Sequence, residues 1–128
     1  MEFEGVDRVR PLQWTGTCLK VLDQRVLPHQ LQYLNCRHPE DVAEAIKSLA
    51  VRGAPAIGIA GAFGVVLAAQ AENAETGQQV LEAIAPSLLR LENARPTAIN
   101  LRWAVGRMQS RLAVLGADWR VEIEKEAL

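Results

Sequence analysis

Two arginines, each close to a proline, are the residues of this sequence best placed to do chemistry. Arg52-Gly53-Ala54-Pro55 joins two segments with helical spacing. Gly53 lets the backbone turn or come close to a ligand. Pro55 suits the opening of a helix, whose free amides and dipole attract an anion. Arg52 adds a planar fork that pairs with phosphate oxygens, and it is the only charged residue between Ala50 and Gln70. Arg95 precedes Pro96 in a second loop, and the proline holds it extended. Two arginines from separate loops could clamp one phosphate. The plainer reading is a helix–helix turn with a solvated arginine and, at Arg95, an ordinary surface charge.

Other reactive side chains offer less. Cys18 and Cys36 sit in no CxxC or Cys/His ligand spacing, and they read as buried structural residues. Two cysteines make no disulfide framework, so a reducing cytoplasm is expected. His29 and His38 lack partners spaced for a metal or a triad, and they read as structural or exposed. Asp23, Glu40 and Asp41 suit a turn and a helix start. No catalytic residue, metal ligand or cofactor motif is assigned. Trp14, Trp103 and Trp119 read as core or domain-contact residues.

Charge and composition narrow the partners. With 14 basic and 15 acidic residues the net charge is −1, and no like-charged block exists. A nucleic-acid surface needs a basic patch. Aromatic residues make up 5% of the chain, too few for base stacking. Met1-Glu2-Phe3-Glu4 is acidic and has no apolar run, so it does not read as a signal peptide. The longest apolar stretch, Ala54 to Ala69, is interrupted by three glycines and falls short of a membrane span. No nucleic acid and no membrane are expected as partners.

The elements around the two loops follow from periodicity. A chain of 128 residues, 49% hydrophobic, is one domain with a real core. Trp14 to Leu22 is rich in strand formers, Asp23-Gln24 turns, and Arg25-Val26-Leu27 returns. Gln30 to Leu34 alternates as a third strand. From Pro39 the period becomes helical, with Val42, Ala45, Ile46 and Leu49 on one face, ending near Val51. A second helix runs from Pro55 to about Ala71 and is apolar on every side, so it should be central. Gly58, Gly61 and Gly64 suggest close approach by other elements. Asn73 to Gly77 is a loop, and Thr76 with Gln79 forms a capping box. The third helix carries Val80, Ile84, Leu88 and Leu91, with a kink expected at Pro86. A fourth runs from Thr97 to Leu115, and a fifth begins at Asp118. The expected fold is α+β: a small three-stranded antiparallel sheet over residues 1–37, then a helical bundle over 38–128.

Val51-Arg52-Gly53-Ala54-Pro55-Ala56-Ile57-Gly58 and Ala94-Arg95-Pro96-Thr97-Ala98-Ile99-Asn100-Leu101 resemble the paired N-terminal signatures of the methylthioribose-1-phosphate isomerases. Leu12-Gln13-Trp14 and Leu31-Gln32-Tyr33-Leu34 are similar too, so the resemblance covers essentially the whole chain. Related families supply two alternative readings: a ribose-1,5-bisphosphate isomerase, or a non-catalytic, ligand-sensing domain like the regulatory subunits of the guanine-nucleotide exchange factor of translation initiation. The resemblance implies interconversion of 5-methylthioribose 1-phosphate and 5-methylthioribulose 1-phosphate, a step of methionine salvage and so of methionine biosynthesis. It implies no organic cofactor and no metal, a cytoplasmic homodimer, and a sugar-phosphate ligand. Arg52, Gly53, Ala54 and Arg95 match substrate-binding positions. The family's catalytic cysteine and aspartate lie in a Rossmann-like C-terminal domain, which is not present in this sequence. By itself the segment should therefore be inactive. It should also expose an apolar patch, with Trp119 and Val121 as candidates.

Overall fold

The computed structural model describes residues 10–128. The reading of Met1 to Glu4 lies outside them. Strand-forming residues after Pro11 build β1 (Leu12–Trp14), β2 (Leu19–Leu22) and β3 (Tyr33–Cys36). They form one antiparallel sheet in the order β1-β2-β3. Its composition differs from the expectation in three places. The single strand expected over Trp14 to Leu22 is two strands. Between them Gly16 adopts a positive φ of 101°, and the Thr15 N–H donates to the Cys18 carbonyl at 3.0 Å. Strand propensity cannot register such a turn, which glycine makes possible. The expected return at Arg25–Leu27 is instead a 3-10 turn over Gln24–Val26, capped by Asp23. The third strand starts at Tyr33, because the register pairs Leu22 with Tyr33 and buried Leu19 with buried Cys36.

Asp23 is more than a turn residue. It is 3% exposed, and its carboxylate accepts from the Arg25 backbone at 3.0 Å and from Arg25 Nε and Nη2 at 2.8 Å each. The Arg25 side-chain hydrogen bonds hold its carboxyl below the usual aspartate value against the opposing effect of burial, and the Arg52 charge acts weakly in the same direction. A depressed folded-state pKa stabilises the fold above the unfolded-state value and loses that stabilisation as pH falls through the folded one. Asp23→Asn is therefore expected to flatten the acid limb of stability below the ordinary aspartate range. Urea midpoints of both proteins across that range check this, and parallel curves would refute it.

Five helices follow: α1 (Pro39–Lys47), α2 (Ala54–Gln70), α3 (Gly77–Asn93), α4 (Ile99–Ala113) and α5 (Trp119–Ala127). The molecule is thus α+β. Pro39 opens α1 with Glu40 and Asp41 in its first turn. The Asp41 carboxylate accepts from the Arg37 and His38 amides at 3.2 Å each. α1 stops short of the expected Val51. Leu49 turns left-handed at φ 71°, and the Val51 N–H folds back onto the Ala45 carbonyl at 3.2 Å. A left-handed non-glycine residue costs roughly 1–2 kcal/mol. The loop that carries Arg52 therefore begins on a strained step.

α2 is the centre of the fold, packed against β1 and all four other helices. Its glycines admit those neighbours. A Cβ at Gly61 would lie 2.5 Å from Leu101 Cδ1, and one at Gly64 2.8 Å from Leu91 Cδ2. α3 is opened by the expected capping box, with the Gln79 N–H on Thr76 Oγ1 and the Thr76 N–H on Gln79 Oε1. It continues through Pro86 to Asn93. α5 docks fully. Trp119 is buried and donates Nε1–H to the Ala74 carbonyl at 2.9 Å. Trp14 stacks on Phe63 with centroids 4.7 Å apart and donates to Glu124 at 2.7 Å. Trp119 therefore belongs to the core and not to an exposed patch, whereas Val121 is exposed. Exposed apolar side chains also occur at Leu49, Ile59, Ile99 and Trp103. Among the described residues, no helix is long and apolar enough to cross a membrane.

Candidate functional site

The two arginine loops meet. Arg52, Gly53, Ala54 and Arg95 line one open pocket of about 560 Å³, together with Leu49, Ile57 and the segment from Thr97 to Asn100. Sequence separation gives no hint of this meeting. It follows from α2 and α4 packing side by side with their N-termini at the same end. Gly58 permits the contact, because a Cβ there would lie 3.2 Å from the Asn100 carbonyl oxygen.

Each loop presents an uncapped helix start. Gly53 is the N-cap of α2 with φ 91°, a conformation that other residues adopt with strain, and no side chain caps that helix. The Ile57 N–H closes its first turn onto the Gly53 carbonyl at 3.0 Å. Ala98 caps α4, again without a side-chain hydrogen bond. Two helix starts therefore direct positive dipole ends and free amides into one cavity. Arg52 is exposed, and its Nε–H donates to the Leu49 carbonyl at 3.1 Å. That bond ties the guanidinium to the strained turn before it and leaves the remaining donors for a ligand. Arg95 is half-buried. Arg102, one turn into α4, donates to the Pro96 carbonyl and holds the Arg95 loop against the helix.

The remaining candidates fall elsewhere. Cys18 and Cys36 are free and buried, and burial pushes the Cys36 thiol up to about 12. A thiol held protonated is a poor nucleophile. His29 and His38 are exposed. No group of three potential metal ligands occurs among the described residues. Sequence reasoning missed Thr97 and Asn100 as pocket-lining residues. The helical spacing after Pro96, on the same loop as Arg95, is the signal that carries them.

Residues 50–128 match the model of the Initiation factor 2 subunit family. A methylthioribose-1-phosphate isomerase from Xanthomonas campestris pv. campestris is 52% identical over 127 residues, covering 99% of this chain and 36% of that relative. The crystal structure of 5-methylthioribose 1-phosphate isomerase from Pyrococcus horikoshii aligns with a TM-score of 0.83 and 35% identity over 92% of this chain and 34% of its own. The delta subunit of translation initiation factor eIF-2B from A. fulgidus aligns with a TM-score of 0.82 and 36% identity over 93% of this chain and 35% of its own. The chain thus spans about a third of the length of the relatives it matches, 36% for the Xanthomonas protein. The match to that family model over residues 50–128, more than half of the chain, leads to one assignment: the chain belongs to the Initiation factor 2 subunit family.

Proposed function

We propose that this chain is the N-terminal, phosphate-binding domain of an isomerase that interconverts 5-methylthioribose 1-phosphate and 5-methylthioribulose 1-phosphate. The observation that carries the reading is the shared pocket of Arg52, Gly53, Ala54 and Arg95. Two guanidinium groups and two helix starts suit an anion with several acceptor oxygens better than a neutral ligand. Identity of 52% to a methylthioribose-1-phosphate isomerase across 99% of the chain supports the sugar phosphate over the translation-factor alternative. The fold alone does not separate them, since both kinds of protein share it.

In this reading the segment fixes the phosphate while a C-terminal domain supplies the reacting cysteine and aspartate. The substrate lies between the two domains, a common place for small-molecule sites. Fixing the phosphate positions the sugar carbons for proton transfer, and such positioning is a large share of catalysis. The assembled enzyme is a cytoplasmic homodimer that uses neither organic cofactor nor metal; this part rests on the family resemblance. The ribose-1,5-bisphosphate alternative differs at the sugar's far end.

Arg95→Ala in the intact isomerase tests the reading. Arg95 lies on a loop, is half-buried, and is not a member of the buried core cluster. Substrate affinity should fall about tenfold or more with the melting temperature nearly unchanged. A large drop in melting temperature with unchanged kinetics would mean that Arg95 is structural.

A further inference from the structure

Two neutral polar residues line the arginine pocket, and the phosphate reading assigns them no role. Thr97 stands in the loop after Pro96, and Asn100 lies in the first turn of α4. Both are exposed, and neither side chain makes a hydrogen bond among the described residues. Their chemistry differs from that of Arg52 and Arg95. A guanidinium only donates and selects charge. A carboxamide or a hydroxyl both donates and accepts, as an alcohol does. A fully ionised phosphate offers acceptors alone.

The place of Asn100 is fixed by the backbone. Gly58 of α2 faces it, and a Cβ at Gly58 would come within 3.2 Å of the Asn100 carbonyl oxygen and 3.6 Å of its Cβ. The bare glycine lets the first turn of α4 lie directly on α2, just past the Gly53–Ala54 wall of the pocket. The pocket volume of about 560 Å³ leaves room for a group larger than phosphate.

We propose that Asn100, assisted by Thr97, reads the hydroxyl groups of a pentose 1-phosphate whose phosphate lies between Arg52 and Arg95. Charge is recognised on the arginines and the sugar on the neutral pair, so the two functions separate by mutation. This inference rests on the isomerase reading and adds specificity-determining residues to it.

The test measures competitive inhibition of the intact isomerase by two probes, ribose 1-phosphate and inorganic phosphate. Asn100→Ala should weaken ribose 1-phosphate about tenfold, the order expected for a lost hydrogen bond that leaves a partner unpaired, and leave inorganic phosphate unchanged. Thr97→Val should act in the same direction, and Thr97→Ser should restore binding because it keeps the hydroxyl. Both residues are exposed, so folding is not at stake. Unchanged ribose 1-phosphate inhibition in Asn100→Ala and Thr97→Val would overturn the inference. Equal loss of both probes would overturn it too, because the residues would then serve the phosphate or the fold. Arg52→Ala and Arg95→Ala separate the two levels. If they weaken inorganic phosphate while Asn100→Ala leaves the sugar phosphate alone, only this inference falls. If they also leave inorganic phosphate unchanged, the phosphate site itself is wrong.

Discussion

Gly77→Ala is expected to destabilise the protein by about 3 kcal/mol or more, at or beyond the upper end of the usual cost of overpacking. Gly77 opens α3 where that helix meets the end of α4, and its N–H donates to the Leu115 carbonyl at 2.9 Å. A Cβ at this position would lie 2.0 Å from the Leu112 carbonyl oxygen and 2.9 Å from that of Leu115. Both obstacles are backbone atoms, so no rotamer change relieves the clash. The helices must part, and the Leu115 hydrogen bond goes with them. For a domain of this size the melting temperature should fall by roughly 10 °C. Gly106→Ala is the matched control. It lies inside α4 with nothing within 4 Å of the added methyl group, so it should be neutral or stabilising by about 0.5–1 kcal/mol. Calorimetry of the two variants decides the matter. Equal melting temperatures would show that the α3–α4 contact adjusts freely.

Much of this packing can be read from residue types. Gly58, Gly61 and Gly64 each sit where alanine would be the better helix former, so their presence implies neighbours that exclude a methyl group. Leu101, Leu91 and the Asn100 backbone are those neighbours. Thr76 and Gln79 announce the start of α3 because a capping box is purely local chemistry. The all-round apolar character of α2 identifies it as the centre, and all but a few of its residues are buried.

What escaped depends on tertiary context. Leucine is a good helix former, so nothing at Leu49 signals the left-handed step that ends α1 early. That step matters to the site, because the Leu49 carbonyl takes the Arg52 Nε–H. Trp119 reads both as a core residue and as a candidate for an exposed patch; the first reading holds, because the Ala74 carbonyl satisfies its indole N–H and the core encloses the ring. The Arg52 and Arg95 loops carry legible chemistry one at a time. Their shared cavity follows from how α2 and α4 lie together, which no spacing rule encodes. Resemblance to a family with both signatures supplied that link.

The central functional claim is tested most directly at Arg52. Arg52→Ala in the intact isomerase should lower affinity for substrate about ten- to a hundredfold, the range set by a hydrogen bond to a charged group. Its exposure and loop position mean that the fold should survive the change. Arg52→Lys should recover part of the loss and no more. An ammonium group restores the charge but cannot form the planar fork, and it cannot at once donate to Leu49 and engage two phosphate oxygens in the guanidinium's fixed geometry. Raising ionic strength should narrow the gap between wild type and Arg52→Ala, because part of the contact is a solvent-reachable charge attraction. Titrations of a phosphorylated substrate analogue into the three proteins, at low and high salt, report all of this. Equal affinity in all three, with circular dichroism unchanged, would reduce Arg52-Gly53-Ala54-Pro55 to a helix–helix connector. The start of α2, which no side chain caps, would then need another explanation.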